Sequence, residues 1–170
     1  VKALTLYNPW ATLKAIDAKK FETRSWSTRY RGPIAIHASV NDKFKELCMK
    51  EPFKSALENA GFMVRRSVVN DKAMTDLPFG AVLCICNLVD CLKIRTIRTV
   101  KRDGYLIRIA FLETKNSLIE VSGNELVFGN YGPGRYVYVL EDTKRLPEPI
   151  PAKGRQGLWN WTPPEGVKLS

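Results

Sequence analysis

The sequence predicts a small α+β domain built on a curved or closed sheet. Several short segments rich in β-formers recur along the chain, from Lys2–Tyr7 to Leu158–Trp161, with only two or three helical patterns between them. One of them, Gly80–Lys93, is almost continuously apolar, the pattern of a strand buried on both faces. The chain has 170 residues, 45% apolar and 26% charged, which suits one domain over residues 1–162 with a tail over 163–170. A domain of this size buries roughly 70% of its unfolded surface and needs no staples.

The elements follow in order. Lys2–Tyr7 alternates in part and reads as a strand. Asn8-Pro9-Trp10 opens a helix, with Asn8 as the cap and Pro9 in the first turn, where a missing N–H costs nothing. Trp10, Leu13 and Ile16 share its face, and it ends near Asp17 or Ala18. Phe21–Arg24 is a short strand, and Ile34–Ser39 is another after the Arg31-Gly32-Pro33 turn. Asn41–Gly61 is helical in pattern, interrupted at Pro52 and stopped at Gly61. Residues 62–78 read mostly as loop. Lys93–Arg102 carries five basic residues and no acid; taken as a strand, it does not put them all on one face. Tyr105–Leu112 is a strand, and Ser122-Gly123-Asn124-Glu125 matches a capping box opening a short helix. Gly129–Gly134 is a turn-rich loop, Tyr136–Leu140 a strand, Pro147–Pro151 extended, and Leu158–Trp161 the last strand.

Composition excludes a disordered chain. The longest apolar runs, such as Ala81–Cys86, fall far short of the roughly 20 residues that cross a bilayer, and no secretion-signal run is present. The expectation is a cytoplasmic protein with no membrane partner. Cys84 and Cys86 share one strand face and make poor disulfide partners. With Cys48 and Cys91 they read as free thiols of a reducing compartment. No metal or other cofactor is expected, because His37 is the only histidine and the cysteines lie in apolar surroundings.

Charge gives the first functional pointer. The 27 Lys and Arg against 17 Asp and Glu leave a net +10, a field that favours anionic partners and nucleic acid first among them. The richest stretch runs from Asp17 to Arg24. Glu22 and Arg24 are two apart on a strand and point to one side, with Lys19 just before them at the helix-to-strand turn. On a cleft wall, Glu22 accepts a proton or a base N–H, while Lys19 and Arg24 hold phosphate or a carbonyl oxygen. There, Glu22→Gln would change ligand choice more than stability. The alternative is an exposed ion ladder, worth less than about 1 kcal/mol per pair. Trp26 sits among polar and basic residues, Arg29 and Arg31 included, the composition of a stacking surface for single strands or the cover of a sheet end. In Gly129–Tyr136, Tyr131 offers a ring and Arg135 a phosphate contact, unless the loop is only a tight connection. Lys153 and Arg155 form a similar basic segment. His37 faces away from Ile34 and Ile36, as a half-buried residue or a cleft group.

The Asp17–Arg24 stretch looks like the G-x-K-x-x-E-x-R signature of the ASCH domain, a branch of the PUA-like superfamily. Lys19, Glu22 and Arg24 match, and Asp17 stands in place of the glycine. Leu4–Trp10, Arg31–Ser39, Gly129–Tyr136 and Pro149–Trp159 resemble other parts of that domain, so the resemblance spans nearly the whole chain except residues 41–78 and 93–121. It implies a PUA-like β-barrel with helices packed around it, a cleft lined by the signature residues, and RNA or a modified nucleoside as ligand. Some members with this fold resemble amidohydrolases of acetylcytidine that use a Lys and a Thr of this motif; here the Thr position is Glu22, and a carboxylate does not replace the hydroxyl nucleophile. Ribonuclease activity belongs to other members. The leading expectation is an RNA- or nucleotide-binding domain. A hydrolase with Lys19 and Glu22 as acid–base partners comes next, then an adaptor whose basic surface meets an acidic protein.

Overall fold

A computed structural model describes residues 1–167. The elements are β1 (Lys2–Leu6), α1 (Trp10–Ala15), β2 (Phe21–Arg24), β3 (Gly32–Ala38), a 3-10 helix at Lys45–Met49, α2 (Phe53–Asn59), β4 (Val64–Arg66) and β5 (Ala73–Thr75). There follow β6 (Ala81–Arg102), β7 (Tyr105–Glu113), β8 (Leu118–Val121), α3 (Gly123–Phe128), β9 (Tyr136–Pro151) and β10 (Leu158–Asn160). The protein is α+β and strand-rich, and its main sheet is mixed. The described residues divide into two compact units: residues 1–18, 33–87 and 142–167 form one, and 19–32 with 88–141 form the other. The division falls inside β6 and inside β9, so each of those strands contributes to both.

In the first unit, β1 pairs antiparallel with β10 and parallel with β3. Ala3, Ala35, Val82, Ile85, Trp159 and Trp161 form a buried cluster there. Val167 packs against it, so the segment after residue 162 is docked as far as that residue. The N-cap position of α1 is Pro9, one residue later than the sequence reading places it, but Asn8 still satisfies a first-turn donor: its Oδ1 accepts from the Thr12 N–H at 3.1 Å and the Thr12 hydroxyl at 2.8 Å. The helix stops at Ala15, short of the expected end, and Asp17 turns the chain with a left-handed φ of 57°. The helical stretch expected over Asn41–Gly61 is interrupted at Pro52 as the sequence implies, but its first piece is a 3-10 helix that starts only at Lys45. Residues 62–78 are not mostly loop: β4 and β5 form an antiparallel hairpin, Val64 opposite Thr75.

In the second unit, β2 pairs antiparallel with β9, and β6, β7 and β8 form an antiparallel meander. The basic stretch Lys93–Arg102 is the second half of β6. Its Ile94, Thr96, Ile97, Thr99 and Val100 supply β-branched residues between the cations. The hairpin to β7 turns on Asp103 and Gly104, both at positive φ (49° and 84°), the geometry that two-residue hairpin loops demand and glycine meets without strain. A bulge between Ile94 and Thr96 shifts the side-chain alternation. Lys93, Arg98 and Arg102 then share one face, and Lys101 lies on the other, across from Leu106. That other face leads into the buried cluster of Leu92, Ile94, Ala110, Leu112, Val121, Tyr131 and Val137.

Cys48, Cys84 and Cys86 are buried thiols, Cys91 is half-buried, and all four are unbridged. Burial pushes the Cys48 thiol up to about 11 and Cys86 up to about 12, which keeps both protonated and unreactive near neutral pH.

Candidate functional site

β2 presents the charged constellation. Glu22 Oε2 accepts a hydrogen bond from Lys19 Nζ at 2.8 Å, and Glu22 Oε1 lies 3.2 Å from Arg24 Nε. Lys19 Nζ also donates to the Phe21 carbonyl. One carboxylate therefore holds a cation at each oxygen, and the structure brings together the three residues the sequence groups. Their exposure differs from an open cleft wall. Lys19 is 1% exposed and Glu22 8%, and the opening is at Arg24, whose side chain is 24% exposed. The neighbouring strand is the reason. Glu22 lies opposite Tyr138 of β9, and paired residues of an antiparallel ladder face the same side. Tyr138 is wholly buried, its ring meets Trp26 edge-on at 5.5 Å, and its hydroxyl donates to the Trp26 carbonyl at 3.2 Å. Burial pushes the Tyr138 phenol up, so it acts only as a neutral donor.

Thr23 points to the other face of β2, as strand alternation dictates. Its hydroxyl accepts from the Asn130 N–H at 2.9 Å and so anchors the loop that follows α3. Within that loop Arg135 donates from Nε to the Asn130 carbonyl at 3.0 Å. Tyr131 is 3% exposed and belongs to the buried cluster, so it presents no open ring for stacking. Burial, with the Glu125 and Glu22 carboxylates nearby, pushes its phenol up as well. Trp26 is half-buried and Arg29 exposed, in the segment after β2. Arg31 is tied to the Thr28 and Tyr30 carbonyls and, at 2.8 Å, to Asp90.

The residue that sets the start of β2 is Glu125. The capping-box pattern assigns it to its own helix, yet the Ser122 side chain makes no capping bond. Glu125 instead accepts from the Lys20 N–H at 2.9 Å and the Phe21 N–H at 3.0 Å. Two backbone donors that flank the Lys19–Glu22 pair are thus fixed from α3. The sequence signal was present, since a Glu at that position needs N–H partners, but the partners are 104 and 105 residues away.

Lys153, Arg155 and His37 belong to the first unit. Lys153 and Arg155 are exposed, and Gly154 between them backs onto His37, where a Cβ would meet the imidazole Cε1 at 2.5 Å. His37 is 1% exposed, stacks edge-on against Trp159, and has Nε2 at 2.9 Å from the Ala152 carbonyl. A carbonyl only accepts, so Nε2 carries the proton. Burial lowers the His37 pKa, which keeps the ring neutral. It is a packed core group and not the half-buried one the alternation suggested.

Asp17 clarifies the departure from the signature. Its left-handed φ is the conformation a glycine adopts at no cost and an aspartate tolerates better than most side chains. Its carboxylate receives the buried Lys14 ammonium at 3.2 Å and the Thr143 hydroxyl at 3.1 Å. Among the described residues no group of three His, Cys, Asp or Glu side chains is placed to hold a metal ion. No helix among them is long and apolar enough to cross a membrane.

No protein-family model matches the chain, and no curated protein matches it as a relative.

Proposed function

We propose that this chain is an ASCH-type, PUA-like domain whose sheet closes into that family's barrel and which binds RNA or a nucleotide-like ligand beside β2. The observation that carries this reading is the Glu22 carboxylate clamped between a buried ammonium and a half-exposed guanidinium. A carboxylate held in one orientation is pre-organised to accept from a base edge, and its entropic cost of ordering is met by the fold. Arg24, the part of the constellation that opens to solvent, takes phosphate or a carbonyl oxygen. Trp26 supplies the stacking ring, and Arg29 adds positive charge on the same segment. Lys19 acts as a positioning residue that holds Glu22.

The test is fluorescence anisotropy with labelled single-stranded RNA over a salt series. Affinity falls with a log–log slope of about −0.7 for each phosphate contacted. Arg24→Ala weakens binding, and Trp26→Ala weakens it without changing the salt slope. An affinity that is flat from low to physiological salt overturns the reading.

A further inference from the structure

β8 covers only part of β7. It pairs with Ala110–Glu113, and among the described residues no strand pairs with the outer edge of β7 from Tyr105 to Ile109. Along that edge runs a groove of about 560 Å³, walled by Leu106, Ile107 and Arg108 on one side and by Leu126 and Val127 of α3 on the other. Its walls are open to solvent: Leu106 is 75% exposed and Val127 54%. Unpaired main-chain donors and acceptors beside exposed apolar side chains are a template for an added strand.

The charges select the guest. The groove lining holds one cation, Arg108, and no carboxylate. Lys101 lies across from Leu106 on the same face. The nearest acid on β8, Glu120, is already neutralised by Arg102 through bonds of 2.7 and 2.8 Å. We propose that the edge of β7 takes up an extended acidic segment of a partner protein by strand addition. The main chain of the guest pairs with Tyr105–Ile109. Its side chains meet Leu106 and Arg108 on one face, where acidic residues are matched, and Tyr105 and Ile107 on the other, where apolar residues are. A second copy is disfavoured as the guest, because it lays the same cationic ribbon against itself. The residues named here are not those of the Lys19, Glu22 and Arg24 constellation, although α3 borders both.

The experiment uses a short labelled peptide alternating Val or Ile with Glu, read by anisotropy on the intact protein. Two control peptides carry Lys in place of Glu, or N-methyl groups on alternate backbone amides. The acidic peptide binds, and both controls bind at least about tenfold more weakly. Arg108→Glu and Val127→Ser each weaken the acidic peptide by about tenfold with unchanged melting temperature, and Arg108→Glu gains affinity for the lysine peptide. The proposal is overturned by absent binding, by equal binding of the acidic and N-methylated peptides, or by indifference to both substitutions. It is also overturned if sedimentation shows a dimer that Val127→Ser abolishes.

Discussion

The Lys19–Arg24 segment and the β6–β7 ribbon both carry several basic residues, and they handle charge in opposite ways. In the first, Lys19 and Glu22 are withdrawn from water and satisfied by one another, by Arg24 and by main chain. On the ribbon, Lys93, Arg95, Arg98, Lys101 and Arg108 are exposed, and Arg102 pairs with Glu120 at the surface. A desolvated charge is tied to its partner by the cost of leaving the other alone, whereas a solvated one is backed by water and counterions. The first arrangement fixes geometry and suits recognition of a particular group. The second supplies field and on-rate with little geometric demand.

The sharpest test of this contrast is Glu22→Gln. It keeps the shape and removes the counter-charge of a buried ammonium, with an expected loss of about 3 kcal/mol in urea unfolding. This reverses the expectation from sequence, where an open carboxylate affects ligand choice before stability. A loss under about 1 kcal/mol would put the pair in the surface class. Glu125→Ala comes next. It strips the acceptor from the Lys20 and Phe21 amides, for a loss of about 2 kcal/mol, together with weaker RNA retention in the same anisotropy assay. On the ribbon, Arg98→Gln changes the unfolding free energy by less than about 0.5 kcal/mol while reducing RNA affinity at low salt, and a larger stability loss would break the comparison. The smallest expected effect is none: cytidine release from acetylcytidine, followed by liquid chromatography, stays at background. The hydroxyl next to the motif's carboxylate, Thr23, faces away and is bound to Asn130. Rapid release that Lys19→Ala abolishes would give the pair a catalytic role.

Much of the architecture was legible because apolar patterning reports which face is buried. Gly80–Lys93 reads as the buried start of β6, and the Glu22–Arg24 spacing correctly places both side chains on one side of β2. The β4–β5 hairpin was hidden because its strands are three residues each and largely exposed, too short for alternation to register. The extension of β6 to Arg102 was marked by Asp103-Gly104, a strong short-range hairpin signal, but the cations between drew the reading toward a diffuse surface. Local reading failed at Glu125, where a helix-capping pattern was overridden by tertiary partners. The burial of Lys19 was also out of reach, since a lysine is normally exposed and its withdrawal depends on tertiary packing and on its bonds to Glu22 and the Phe21 carbonyl.

The tether from Glu125 to Lys20 and Phe21 also sets a schedule. Among the described residues β2 pairs with β9, and the Lys20 and Phe21 amides are held from α3, more than a hundred residues further along the chain. Contacts separated by more than a hundred residues form late, because a long stretch of chain must be closed before they reward it. A growing chain that has not reached residue 139 carries Lys19, Glu22 and Arg24 without the strand that pairs with β2. The geometry at Glu22 is thereby deferred until β9 is built, so a copy truncated before β9 lacks it.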